Sequence, residues 1–358
     1  MKIFFCQKPR GIALMIVMIA IFVLSVLAGA FAYSMKVETK LAMNANNETA
    51  LLWLGRSGVE LARCVLAHQL TIAGEPYDSL NQKWAGGPGS LADSNSPLTD
   101  VSLDNFPVGA GTVTVKITDL ERKFNINVAD EPVLQQALTV VGVDASEVSS
   151  ITSAILDWID ADDATRPNGA ESDYYQTLNP PYYAKNKPID DLSELLLVRG
   201  ITSEMYWGPA AANHATAAFQ RVDRWGRPVE EPNYPVGLVD LFTPLSTGKI
   251  NVNTASTTTL QTIPGVDASA AEQIIRLRSG PDGVDGTEDD TPLGNAGELI
   301  NAGLNRLAVQ QLSRYCDVRS RTFEVRVDAQ IRGAKRTFYA VLGRNSPRDI
   351  QVLSFYWN

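Results

Sequence analysis

An acidic loop near the middle of the chain contains closely spaced carboxylates, the residues in this sequence that are best suited to binding a metal ion. It begins in the phrase Asp157-Trp158-Ile159-Asp160 and continues through Gly169 towards Tyr174-Tyr175. Clustered carboxylates with glycine between them suit Ca²⁺, which takes about six to eight oxygen ligands at flexible angles. The sequence therefore predicts a structural Ca²⁺ site. Its expected ligands are Asp160, Asp162, Asp163, Glu171 and Asp173.

A second acidic loop, from 282 to 290, repeats this composition with Gly283 and Gly286 between its carboxylates. Without a cation, carboxylates held this close repel one another. The predicted ligands here are Asp282, Asp285, Asp289 and Asp290. The alternative interpretation of both runs is a pair of solvated acidic loops, which is the commoner meaning of such a pattern.

Evidence for catalysis is lacking in the sequence. His68 and His214 are the only two histidines, and they stand alone in a long helical segment and in an alanine-rich segment. Asp160 and Asp162 are of the right type for a general acid and base, but nothing around them suggests a substrate pocket. The formal net charge of −9 disfavours nucleic acid and anionic lipid headgroups as partners. We therefore expect a protein that is not an enzyme.

The acidic loops lie in two copies of an internal repeat. The copies open with Asn125-Ile126-Asn127 and Asn251-Val252-Asn253, and each continues to a Gly-Val-Asp-Ala-Ser segment. The pattern between these marks is helical, with Asp130 and Thr254 as expected N-caps. The second copy, around Pro264-Gly265-Val266, resembles the helix–hairpin–helix module. DNA-binding hairpins of that module read Gly-hydrophobic-Gly and hold a phosphate on backbone N–H groups, whereas here Asp267, and Asp144 in the first copy, would repel it.

An uncharged run between Arg10 and Lys36 is long enough to cross a membrane as a helix. Lys2, Lys8 and Arg10 precede it, so the N-terminus should remain cytoplasmic. Helix-forming residues continue to about Ile72, which predicts one helix of about 60 residues, roughly 90 Å long. Cys64 and Cys316 would both lie outside the membrane. Whether they form a disulfide stays open at this point.

Alternating apolar residues predict strands at 111–120, 321–331, 336–342 and 350–357. The fold class is therefore α+β: a long N-terminal helix packed on an antiparallel sheet, with a large helical domain of two helix–hairpin–helix or SAM-like repeats inserted between the first strand and the last three. The predicted divisions are a leader (1–11), the membrane half of the helix (12–35), its periplasmic half with the first part of the sheet (36–123), a first repeat (124–215), a connection (216–249), a second repeat (250–315) and the final strands (316–358).

This layout resembles the type IV pilin and pseudopilin family. Its members carry a short basic leader ending in glycine that is cut before an apolar helix, which implies cleavage between Gly11 and Ile12. Most members have Glu at the fifth mature position, and Ile16 stands there. The K-type minor pseudopilin of type II secretion lacks that Glu. The Asp-Trp-Ile-Asp phrase, the downstream Gly-Ala-Glu and Tyr-Tyr, and the two Asn-x-Asn openings resemble it as well.

The resemblance implies a structural role at the tip of the type II secretion pseudopilus, where the chain would initiate assembly and support export of folded periplasmic proteins. It implies a single-pass inner-membrane protein with its bulk in the periplasm. Its implied partners are the I- and J-type minor pseudopilins, the prepilin peptidase and the inner-membrane platform of the machine, with no nucleic acid. Two alternatives stay open: a minor pilin of a type IV pilus, and a membrane-anchored helix–hairpin–helix DNA receptor.

Overall fold

The chain folds around two hydrophobic cores. One lies between the N-terminal helix and a five-stranded sheet, and the other fills a helical domain from Phe124 to Val318. The computed structural model describes residues 11–89, 98, 101–211, 234–304 and 306–357. His214, most of the connection at 216–249 and the basic leader residues 1–10 lie outside these ranges.

Helix α1 spans Gly11–Gln69, 59 residues, which confirms the predicted single long helix. Residues 12–46 are all exposed, and the buried residues of α1 begin with Leu51. The exposed part includes a stretch apolar enough to cross a membrane by length and composition. Helix α1 ends three residues before the predicted Ile72, and the chain turns through Gly74 at φ +92°.

The sheet has the strand order β1-β2-β7-β8-β9 and is antiparallel throughout. Its strands are β1 (Phe106–Val108), β2 (Gly111–Asp119), β7 (Thr322–Ile331), β8 (Ala334–Ser346) and β9 (Asp349–Trp357). The four predicted strands are confirmed. Strands β2 and β7 pair directly, with Val115 opposite Val327, although about two hundred residues separate them. The helical domain is therefore an insertion between two neighbouring strands.

Short elements make up the inserted domain. They are β3 (Phe124–Asn125), α2 (Glu131–Val141), α3 (Ala145–Ile159), α4 (Ser172–Tyr175), α5 (Ser203–Trp207), α6 (Leu238–Leu241), β4 (Phe242–Thr243), β5 (Ile250–Asn251), α7 (Thr257–Leu260), α8 (Ala268–Arg278), α9 (Arg306–Leu312) and β6 (Cys316–Asp317). Two parallel strand pairs, β3 with β4 and β5 with β6, join the start of each copy to the chain that follows it. The α+β architecture with a long helix on an antiparallel sheet is confirmed.

Two expected helix caps have different outcomes. Asp130 is the N-cap of α2, because its carboxylate accepts from Val133 N at 3.2 Å. The expectation for Thr254 is wrong. Its hydroxyl donates to Asp119 Oδ2 at 2.5 Å, and Ser256 caps α7 instead. The helix begins only at Thr257, so the capping position falls on Ser256, whose hydroxyl accepts from Thr259 N at 3.1 Å.

Helix α1 approaches the sheet closely at two glycines. A Cβ at Gly58 would lie 2.4 Å from Val327 Cγ1, and one at Gly55 would lie 2.5 Å from the Phe338 ring. Such distances are far below van der Waals contact, so the two elements pack at a separation that only glycine permits. Both glycines lie on the buried face of α1.

We expect Gly58→Ala to destabilise the protein although alanine is the better helix former. Over-packing costs about 1–3 kcal/mol, which outweighs the gain of about 0.5–1 kcal/mol in helix propensity. Thermal unfolding of the full chain in detergent should show a lower Tm. Gly29→Ala is the matched control, since nothing lies within 4 Å of its Cβ position. Equal Tm values for the two variants would contradict the close packing.

Candidate metal centre

The first acidic loop begins at the last turn of α3. Asp157 is fully buried there, and Asp160 follows as the C-cap of the helix. Arg166 lies across both carboxylates: its Nη1 donates to Asp157 Oδ1 at 2.9 Å and also to Asp160 Oδ2. The backbone N–H of Arg166 points at Asp157 as well, with both carboxylate oxygens 3.3 Å away. The Arg166 guanidinium therefore supplies positive charge beside these two carboxylates.

Glu171 faces the same group of carboxylates from the far end of the loop. It is only 2 % exposed, and neither of its carboxylate oxygens has a hydrogen-bond partner among the described residues. Burial, followed by the charges of Asp157, Asp160, Asp163 and Asp162, raises the pKa of Glu171 to about 7. One oxygen of Asp160, Oδ1, is also buried without a partner. The loop thus presents acceptor oxygens that no donor satisfies.

The other predicted ligands of this loop are less buried. Asp162 Oδ1 accepts from Ala164 N at 2.9 Å, and Asp163 Oδ1 accepts from Asn186 Nδ2 at 2.9 Å. Asp173 is exposed on α4 and is not among the charges that act on Glu171. Asp157, in contrast, belongs to the group although it is not a predicted ligand. The sequence could have indicated Asp157 as a ligand, because Asp157 and Asp160 are three residues apart at a helix end and so share a face.

Aromatic rings and one glycine hold the loop in place. Tyr175 is buried, with its ring 5.2 Å from that of Trp158 and 5.2 Å from that of Tyr182. Gly169 approaches Asp157 so closely that a Cβ there would lie 2.0 Å from Asp157 Oδ2. The two ends of the loop, at Asp157 and from Gly169 to Tyr175, are therefore packed into the domain, whereas residues 161–165 between them are exposed.

The second acidic loop is closed by its own contacts. Arg278, 4 % exposed, donates through Nη2 to Asp285 Oδ2 at 2.6 Å and through Nη1 to Val252 O at 2.6 Å. Asp289 Oδ2 accepts from Asp282 N at 3.0 Å, and Asp290 Oδ2 accepts from Gly286 N at 2.8 Å. Arginine and backbone amides thus satisfy carboxylate oxygens that a cation would need.

Across the described ranges, no three His, Cys, Asp or Glu side chains lie close enough together to form a ready metal site. The oxygens of the first loop still suit Ca²⁺ by type, and Glu171 and Asp160 have oxygens free to bind it. The calcium assignment of both loops stays a prediction. The first loop fits it better, because the second leaves fewer oxygens unengaged.

The two Asn-x-Asn openings make the same contacts in both copies. Asn125 Oδ1 accepts from Asn127 N at 2.9 Å, and Asn251 Oδ1 accepts from Asn253 N at 2.9 Å. Asn127 then forms two hydrogen bonds with the backbone of Ile189, as Asn253 does with Leu293. In each copy the second asparagine therefore fixes the segment that returns after the acidic loop.

The hairpins place a carboxylate at the start of the following helix. Gly142 and Gly265 have φ of +98° and +89°, which glycine adopts without strain. Asp144 Oδ1 accepts from Ser146 N, and Asp267 Oδ1 accepts from Ala270 N, both at 2.8 Å. These aspartates cap α3 and α8 at the N–H groups that a phosphate would otherwise occupy.

The residues expected to act in processing and assembly lie at the exposed end of α1. The helix begins at Gly11, and Ile12 and Ile16 are 58 % and 61 % exposed. Of the two cysteines in the described residues, Cys64 is exposed and Cys316 is buried, and both thiols are free. Burial raises the pKa of Cys316 to about 12.

Sequence comparison matches residues 115–208 to the family described as type II secretion system (T2SS), protein K, and residues 246–285 to the helix–hairpin–helix motif. A type II secretion system protein K of Pectobacterium carotovorum is 34 % identical over 28 % of this chain and 35 % of its own length. The protein K of Pseudomonas aeruginosa is 24 % identical over 80 % of this chain and 77 % of its own. The resemblance to the K-type family is confirmed.

Protein K of Aeromonas hydrophila is 26 % identical over 56 % of this chain and 62 % of its own length. The chain thus spans less than two thirds of the Pectobacterium and Aeromonas relatives. Among solved structures, protein K in the GspK–GspI–GspJ complex of the enterotoxigenic Escherichia coli type 2 secretion system has the same fold. It has a TM-score of 0.61 at 20 % identity, over 88 % of this chain and 99 % of that one.

We expect Glu171→Gln to stabilise the cation-free protein at high pH. The raised pKa of Glu171 means that its contribution to stability is present below about pH 4.5 and is lost as the pH rises through about 7. Since one pKa unit corresponds to about 1.4 kcal/mol, the uncharged variant should exceed the wild type by more than about 1 kcal/mol at pH 8. At pH 5 the two should differ little.

Denaturant unfolding of the full chain in chelator, followed by tryptophan fluorescence, measures these free energies. Asp173→Asn is the control, because it removes one carboxylate from the exposed surface of the same loop. A Glu171→Gln variant that is no more stable than wild type at pH 8 would show that Glu171 is not held charged against its surroundings.

Proposed function

We propose that this chain is a minor pseudopilin of the K type, which caps the tip of the type II secretion pseudopilus, initiates its assembly and supports export of folded periplasmic proteins. Its partners would be the I- and J-type minor pseudopilins. The observation that carries the proposal is the fold shared with protein K of the GspK–GspI–GspJ complex over nearly the whole of that chain. The protein K relatives support the same proposal.

The exposed half of α1 supports assembly in a membrane. Residues 12–46 are all exposed, and an apolar surface of this size needs lipid or other helices to cover it. We propose that α1 anchors the chain in the inner membrane with its bulk in the periplasm. We further propose that prepilin peptidase cuts between Gly11 and Ile12, and that the inner-membrane platform receives the processed helix.

The absence of a carboxylate at Ile16 supports placement at the tip. In a filament of pilin-like subunits, a Glu here neutralises the N-terminal amine of the neighbouring subunit. A subunit with none above it has no amine to pair. The inserted domain, which is larger than the rest of the chain outside the membrane, would block addition of a further subunit.

Calcium is the cofactor that we propose for the inserted domain. Glu171, Asp160 and Asp157 of the first loop would hold the ion after their side chains close around it, with Asp162 and Asp163 beside them. A bound Ca²⁺ would place a positive charge next to the Glu171 carboxylate, which has no donor, and would fix the loop between α3 and α4. We also propose that both copies of the insertion are helix–hairpin–helix or SAM-like repeats, which the matched asparagine contacts support.

The helix–hairpin–helix match favours a DNA receptor as the second candidate. Two observations weigh against it. Asp267 and Asp144 cap the helices that follow the hairpins, so carboxylates stand where phosphates would bind. The net charge of −9 repels the DNA backbone as a whole. A minor pilin of a type IV pilus shares the fold and differs only in the machine that it serves.

Co-purification tests the proposed function. The full chain, expressed with the I- and J-type pseudopilins of the same host, should appear with both in one complex by native mass spectrometry, starting at Ile12 when the peptidase is present. Fluorescence anisotropy with duplex DNA should show no binding. Asp267→Gly, which restores the Gly-hydrophobic-Gly hairpin, is the control for the DNA arm. DNA binding by the wild type without a pseudopilin complex would support the receptor instead.

We expect Ile16→Glu to leave the fold intact and to impair placement at the tip. Ile16 is exposed, so the variant loses no packing within the chain, and the new carboxylate can pair with the amine of another subunit. Pseudopilus number and secretion should both fall. Ile19→Glu is the matched control, because Ile19 is 59 % exposed and introduces the same charge in the same helix. Equal effects of the two variants would mean that the charge acts only by weakening the membrane anchor.

A further inference from the structure

Arg166 differs from Arg344 and Arg278, the two buried arginines that pair with a carboxylate in the described chain. Its side chain is 39 % exposed, although its partner Asp157 is fully buried. Arg344, paired with Asp78, is 1 % exposed, and Arg278, paired with Asp285, is 4 % exposed. The Arg166 side chain reaches its partners from the solvent side, and within the described chain its guanidinium donates to the two carboxylates. It can leave without unpacking the domain.

One guanidinium does not satisfy the group of carboxylates that it meets. Glu171 is acted on by the charges of Asp157, Asp160, Asp162 and Asp163, and it has no donor of its own. Arg166 reaches Asp157 and Asp160 and leaves Asp160 Oδ1 and both oxygens of Glu171 unpaired. A divalent ion with about six to eight oxygen ligands could engage these oxygens together. It would need the two carboxylates that Arg166 now occupies.

We infer that Arg166 is a built-in competitor of the cation. It holds Asp157 and Asp160 when the ion is absent, is displaced to solvent when the ion binds, and so sets the affinity of the site. This inference rests on the proposed Ca²⁺ site of the first loop. Two positive charges repel each other at the same carboxylates, so the ion and the guanidinium exclude one another there.

The second loop provides the contrast within the same chain. Arg278 also pairs with an acidic-loop carboxylate, but its Nη1 is fixed to Val252 O in the core of the second copy. Its burial leaves no path to solvent without disturbing α8. Arg166 should therefore exchange with a cation, and Arg278 should not.

Calcium titration of the full chain in detergent, by calorimetry, tests the inference. Arg166→Gln should bind Ca²⁺ about tenfold more tightly than the wild type, a coupling of ordinary size between two competing charges. Arg276→Gln is the matched control, because Arg276 is an exposed arginine paired with Glu272 on α8. Its affinity should equal that of the wild type.

A labelling experiment on the wild type needs no variant to fold. Phenylglyoxal modifies accessible guanidinium groups, and peptide mass spectrometry locates the product. Saturating Ca²⁺ should increase the labelling rate of Arg166 several-fold and leave Arg278 slow, relative to the same protein in chelator.

The outcomes separate this inference from the proposed site. If the wild type binds Ca²⁺ but Arg166→Gln binds it equally or more weakly, or if Ca²⁺ protects Arg166 from labelling, the competition is refuted and the site stands. If neither wild type nor Arg166→Gln binds Ca²⁺, the proposed site is refuted and the inference with it. Binding by Arg166→Gln alone would support the competition in its strongest form.

Discussion

The cost of removing carboxylates from water governs how this chain is assembled. The buried carboxylates of Asp157 and Asp78 each meet an arginine, and the buried guanidinium of Arg278 meets Asp285, since a buried charge without a partner costs several kcal/mol. One pair lies in each acidic loop, and the pair of Asp78 lies at the junction between the inserted domain and the sheet. Asp119 and Glu121 are also buried but accept hydrogen bonds from neutral donors, whereas Glu171 is buried beside four other acidic residues without a donor.

The junction shows how the same constraint joins the inserted domain to the sheet. Asp119, at the end of β2, accepts from Ser320, Thr254 and Asn251, and burial raises its pKa to about 7. Asn251 donates to Asp78 O as well. The equivalent Asn125 of the first copy donates instead to Ser246 O, within the insertion. The second copy is therefore bonded to the sheet, and the first copy is bonded to the chain that precedes the second.

Elements that depend on a pattern of neighbouring residues could be predicted from the sequence. Alternation around Val115 and Val327 located the paired strands, the apolar run located α1, and the Asn-x-Asn segments marked two places that prove to make matching contacts. The roles of Thr254 and Arg166 could not be predicted. Thr254 pairs with a residue 135 positions away, and nothing near it marks Asp119 as its acceptor. Arg166 lies in the predicted loop, but no pattern in the loop sequence indicates that the Arg166 side chain folds back onto Asp157.

The two copies put one framework to different uses. Both have a glycine hairpin, a capping aspartate and an asparagine that fixes the returning segment. In the second copy a buried arginine closes the acidic loop, and this is also the copy bonded to the sheet. In the first copy the arginine is half in solvent and Glu171 has no donor. The buried arginine and the hydrogen bonds to the sheet thus belong to the same copy. The incomplete charge balance lies in the first copy, where the acidic loop can change its counter-cation without breaking the hydrogen bonds that Asn251 makes at the junction with the sheet.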